Sequence, residues 1–229
     1  MTQRFDPTGK ELVRPESAPL ASVPVLDDAH VALVRVAAAV AAAGEVEVRL
    51  ALTAAERTVS HQWVEEVLLQ SYLFAGFPRA LNATREWRRL SGRAAPRTDD
   101  GEAYESAASW REAGEATCAI VYGDSYERLR RNIRALHPAL DAWMIVEGYG
   151  KVLSRAQLDL RRRELCIVAA CAAAGQDRQL HSHLRGALHA GATPAEVGAV
   201  LAAVTDYIAP ENPARYRLLL ARVVQQDVH

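Results

Sequence analysis

From Ala29 onward, apolar residues recur at three- and four-residue intervals in alanine- and leucine-rich stretches, and no run alternates β-branched with polar residues. That period is helical, so the chain is expected to be all-α. The exception is the start, where Met1 to Pro24 is polar and broken by Pro7, Pro15, Pro19 and Pro24. This predicts an extended amino-terminal arm over residues 1–28. A second interruption, Ser91 to Gly101 (SGRAAPRTDDG), concentrates Gly, Pro, Ser and Asp. It reads as a linker, residues 91–101, between helical blocks at 29–90 and 102–229. In the second block the pattern predicts a helix from about Glu102 to Tyr122, breaks at Gly123 and at His137-Pro138, and a helix reaching Leu153. Three more helices follow between Arg161 and Pro210.

The two blocks resemble each other. VALVRVAAAVAAAG, ending at Gly44, aligns with ELCIVAACAAAG, ending at Gly175; EEVLLQSYLFAG, ending at Gly76, aligns with VGAVLAAVTDYIA, ending at Ala209. The expectation is two related helical halves from one duplicated unit. In this register Leu33 stands where Glu164 stands, and Leu52 where His183 stands. Any polar site therefore belongs to the second half alone.

Asp159 is placed to cap the helix that ends at Gly175, and beyond Leu165 that helix is apolar on every side. Glu164 shares a face with Ile167, Val168 and Cys171, so its carboxyl is expected to point into protein. The next helix, about Leu180 to Ala190, puts Leu180, His183, Leu184 and Ala187 on one inward face and His181, Arg185 and His189 on a wetter one. Thr193-Pro194-Ala195-Glu196 then predicts a capping box that starts the third helix. A carboxyl and an imidazole brought together among apolar side chains make a proton-transfer pair, which marks Glu164 and His183 as the catalytic candidates. The alternative is a structural hydrogen bond tying two helices together. Arg161, Arg162 and Arg163 oppose the macrodipole at a helix start, so each is expected to meet a carboxylate, with Arg163 as a candidate for an anionic substrate. Cys171, on the Glu164 face, is a candidate pocket thiol or a small core residue. Trp63, Trp87, Trp110, Trp143, Phe74, Tyr207 and a Tyr149-Gly150 turn are candidate pocket walls.

Composition narrows the classes. With 229 residues, half of them apolar, and a net charge of −1 with basic residues scattered among acids, neither nucleic acid nor an anionic membrane is an expected partner. The longest apolar run, Cys166 to Gly175, is too short to span a bilayer, and the amino terminus has no signal pattern, so the cytoplasm is the expected location. Cys118, Cys166 and Cys171 lack metal-ligand spacing. On one helix, Cys166 and Cys171 lie about 7.5 Å apart along the axis, beyond a disulfide's reach. His181 and His183 diverge by about 200° around a helix and His181 and His189 lie about 12 Å apart, so no metal is expected.

RRELCIVAACAAAG, QLHSHLRGALHAGATPAEVGAVL and, in the first half, EEVLLQSYLFAGFPRALNA together resemble the carboxymuconolactone decarboxylase family, which includes the AhpD-type alkylhydroperoxidases. The resemblance implies an AhpD-like helical bundle. In the peroxidase branch, a Glu is followed by a Cys-x-x-C pair and then a His; Glu164 and His183 match the Glu and His, while Gln176 and Gln179 stand at the cysteine positions. The decarboxylase branch needs no cysteine. It implies cofactor-free decarboxylation of a small carboxylated lactone or related acid, with His183 moving the proton, Glu164 orienting it, and Arg163 or Arg185 holding a substrate carboxylate. The resemblance also implies a homo-oligomer, a trimer first and a dimer second. An alkylhydroperoxidase and a non-catalytic ligand-binding or scaffold protein are the alternative readings.

Overall fold

A computed structural model describes residues 25–227; most of the expected arm lies outside the described residues. Among the described residues the protein is an all-α bundle with no strands. Four helices form the first half: α1 (Asp28–Ala42), α2 (Glu45–Thr58), α3 (His61–Ala75) and α4 (Phe77–Ser91). After the linker come α5 (Ala107–Tyr122), α6 (Tyr126–Leu136) and α7 (Pro138–Trp143), the last running straight into a π-helix at Met144–Leu153. The second half closes with α8 (Leu160–Ala173), α9 (Asp177–His189), α10 (Pro194–Ala203) and α11 (Pro213–Asp227).

The core forms where α1 and α8 pack against each other. Their alanines explain the closeness: Ala37, Ala38 and Ala39 on α1 and Ala169, Ala170 and Ala172 on α8 are all buried and keep the helix axes near one another. Around this pair the layers repeat. α1 also touches α2 and α3, α8 touches α9 and α10, and α2–α4 is matched by α9–α11. Leu33 and Leu52, which stand at the register positions of Glu164 and His183, are buried in the core.

Three local expectations change. The helix before Tyr122 begins at Ala107, not Glu102, because Asp99 accepts from the Gly101 amide and turns residues 100–102 into a single tight 3₁₀ turn. α9 starts at Asp177, three residues before Leu180. Tyr149-Gly150 is not a turn. Both lie inside the π-helix, where a Cβ on Gly150 would stand 1.9 Å from the Trp110 carbonyl oxygen and one on Gly114 would stand 2.1 Å from that of Ile145. The wider helix and the two glycines let α5 and the π-helix meet backbone to backbone.

Candidate active site

Asp159 accepts from the Arg162 amide and caps α8, which fixes Glu164 in its second turn. Residues 163–172 are all buried, so Glu164 enters the core with no exposed surface. α9 brings His183 across from it: Nδ1 lies 2.8 Å from Glu164 Oε2, with the imidazole side chain 6% exposed. Gly186 permits that approach, since a Cβ there would stand 2.6 Å from Glu164 Oε2 and 2.7 Å from Val121 Cγ1. Phe74 of α3 meets the imidazole edge to face, ring centroids 5.6 Å apart, so the first half supplies the wall of the pair. Glu164 Oε1 is buried with no hydrogen-bond partner. A carboxylate with one oxygen on an imidazole and the other unengaged is held in place by its histidine and little else.

Tyr149 lies beside the pair. Burial pushes its hydroxyl well above the usual phenol range, with the charges at Tyr122 and Glu164 adding to the effect, and its ring meets Tyr122 at 6.2 Å. Cys171 is buried, and desolvation raises its thiol to about 12; Cys118 and Cys166 are pushed to about 12 for the same reason. All three cysteines are free.

The two candidate substrate arginines are not beside the imidazole. Arg163 has no exposed surface, and its guanidinium donates to Glu66 Oε2 at 2.6 Å, to Gln70 Oε1 at 3.2 Å and to the carbonyls of Leu158 and Arg155. Desolvation lowers its pKa, opposed by Glu66. Arg155 binds Glu66 as well and reaches Asp99 of the linker at 2.8 Å. Arg163 thus joins α8 to α3 and cannot hold a substrate. Arg185 lies about 200° around α9 from His183 and lines a separate cavity with Tyr122 and Arg128. The other two arginines of the run meet carboxylates: Arg161 pairs with Glu196, and Arg162 pairs with Asp159 while covering the Trp63 ring. Glu66, Arg155 and Asp99 escaped the sequence reading, because their partners are 56 to 97 residues apart.

Among the described residues, no cluster of three or more His, Cys, Asp or Glu side chains is arranged to hold a metal, and no helix is long and apolar enough to cross a membrane.

An acid and an imidazole from successive helices, closed by a glycine contact, lie within the stretch that decides the relationship. Residues 138–217 match the carboxymuconolactone decarboxylase family. The match covers one unit in the second half and gives no support to a duplicated one. The chain is also similar to peroxisomal protein 2 of Schizosaccharomyces pombe, 29% identical over 136 residues, which are 58% of this chain and 63% of that protein. The chain therefore spans less than two thirds of that relative's length.

Proposed function

We propose that Glu164 and His183 form a proton-transfer pair serving the cofactor-free decarboxylation of a small carboxylated lactone or related acid. The observation that carries the reading is the 2.8 Å contact between His183 Nδ1 and Glu164 Oε2, buried inside the region matching the decarboxylase family. Loss of carbon dioxide breaks a carbon–carbon bond and leaves its electron pair in an enolate. His183 as imidazolium delivers the Nε2 proton to that carbon, Glu164 stabilises the imidazolium through Nδ1, and a solvent proton restores it. Phe74, edge-on to the ring, is the side chain a substrate must pass. The test is turnover of a panel of carboxylated lactones, beginning with carboxymuconolactone, followed by ultraviolet absorbance and carbon dioxide release. Wild type is expected to turn one over and Glu164→Gln and His183→Ala to lose about 10²–10⁴-fold in rate. No turnover by folded wild type removes this substrate class.

An alkylhydroperoxidase reading has the thiols against it, because buried groups raised to about 12 supply no attacking thiolate near neutral pH. A scaffold role would make the pair purely structural, with stability but no activity lost on substitution.

Two wider readings go with the first. The halves are copies of one helical unit, supported by the matching packing order around α1 and α8 and by the buried leucines at the register positions of the pair. The protein is a homo-oligomer, a trimer before a dimer, in a reducing compartment, the cytoplasm first. Leu136, Leu140 and Trp143, 73%, 47% and 63% exposed on α6 and α7, are the surface we assign to the subunit contact.

A further inference from the structure

The C-terminal turn of α5 floors a trench walled by α6 and α9, with a cavity of about 180 Å³. Helical spacing builds it from both walls: Arg128 and Asn132 are four apart on α6, and His181, Ser182 and Arg185 fall within four residues on α9. Tyr122 contributes its hydroxyl from the floor, where burial raises its pKa to about 12 and keeps it a neutral donor. Arg128 Nη2 is steered by the Ser125 hydroxyl at 2.9 Å.

No Asp or Glu lines this trench. That is a departure for a chain with 28 acids against 27 bases, and three other cavities on the same protein each include carboxylates: Glu45 and Glu86, Glu47 and Asp206, and Glu65, Glu66 and Asp99. The end of α5 brings carbonyls to the floor, which would repel an anion. His189 Nδ1 caps the Val121 carbonyl at 2.9 Å and removes part of that repulsion.

We propose that the trench binds a small dianion carrying carboxylate or phosphate oxygens. Two arginines supply the charge, with hydroxyl, amide and imidazole groups as neutral donors. The volume suits a ligand of roughly ten heavy atoms or fewer. Val121 forms the floor on one side and touches the space above Gly186, where Glu164 Oε2 lies on the other. The ligand thus sits on the Glu164 side of the buried pair, and the inference holds whether or not His183 transfers a proton.

The experiment is calorimetric titration of wild type, Arg128→Gln and His183→Ala with succinate, adipate, inorganic phosphate and neutral succinamide, at a fixed ionic strength of about 0.15 M. Arg128 is exposed, so its substitution leaves the fold intact. Saturable binding of at least one dianion is expected, weakened roughly tenfold or more in Arg128→Gln, unchanged within about twofold in His183→Ala, and absent for succinamide. A preference for succinate or adipate identifies a dicarboxylate site, and a preference for phosphate a phosphate site. Failure of every dianion to saturate, or equal binding by wild type and Arg128→Gln, overturns the inference. Loss of turnover in His183→Ala with this binding intact separates the trench from the proton-transfer reading.

Discussion

Gly186 is the residue on which the pair's geometry turns. Its missing Cβ leaves the space that Glu164 Oε2 and Val121 Cγ1 occupy at 2.6 and 2.7 Å. Gly186→Ala is expected to push the carboxyl off the imidazole, costing about 1–3 kcal/mol of stability by overpacking. Thermal unfolding together with the lactone assay checks this: activity should fall well beyond what the lost stability explains. Arg163 behaves differently, since removing it strands Glu66 in the core beside Arg155 alone. Arg163→Ala should cost about 3–5 kcal/mol, and replacing both partners by apolar residues should recover most of it, as read by denaturant unfolding. The helical period was enough to bring Glu164 and His183 inward, because both sit among apolar neighbours on short, well-capped helices. It could not find Glu66, whose ion pair with Arg163 joins α3 to α8 across 97 residues. An arginine at a helix start advertises a need for an anion without saying where the anion comes from.

At the scale of elements, caps were legible and winding was not. Asp159, the Thr193–Glu196 capping box and the left-handed glycines at 123, 175 and 191 end or begin helices where local chemistry requires it. The π-helix at Met144–Leu153 left no signal, since its hydrophobic spacing over ten residues still resembles an α-helix. Only the close approach to α5 reveals why Gly114 and Gly150 are there. The α6–α7 corner rests on Asp141, which accepts from Arg130 at 2.5 Å and 3.1 Å. The Arg130 hydrogen bonds hold the Asp141 carboxyl below its ordinary value of 3.8, opposed by burial. A carboxyl whose folded value is depressed stabilises the fold above its unfolded value, near 3.9, and loses that contribution as pH falls through the lower folded value. Melting temperature should accordingly fall on acidification below about pH 4, and Asp141→Asn should flatten that limb while lowering the neutral plateau.

For the whole molecule, two similar helical blocks meet through alanine-rich α1 and α8, and only the second carries the polar pair. The first half then acts as wall and packing surface, Phe74 being its contribution to the imidazole. The all-α class and the division at the linker could be read from periodicity and from the Gly, Pro and Asp of residues 91–101; the clasp between Asp99 and Arg155, which ties that linker to the second half, could not. The exposed Leu140 and Trp143 give the assembly reading a direct check. Light scattering after size exclusion should show a trimer for wild type and a monomer or dimer for the Leu140→Glu, Trp143→Glu double variant; a monomeric wild type would remove the assigned contact.

The central claim is that His183, held by Glu164, moves a proton to and from carbon. By microscopic reversibility the decarboxylated enol-lactone should exchange its acidic carbon-bound hydrogen with deuterium oxide in the presence of the protein, followed by proton NMR. Wild type is predicted to accelerate that exchange, and Glu164→Gln and His183→Ala to lose about 10²–10⁴-fold of the acceleration while remaining folded. Exchange no faster with folded wild type than in buffer, or equally fast in the two variants, would contradict the account.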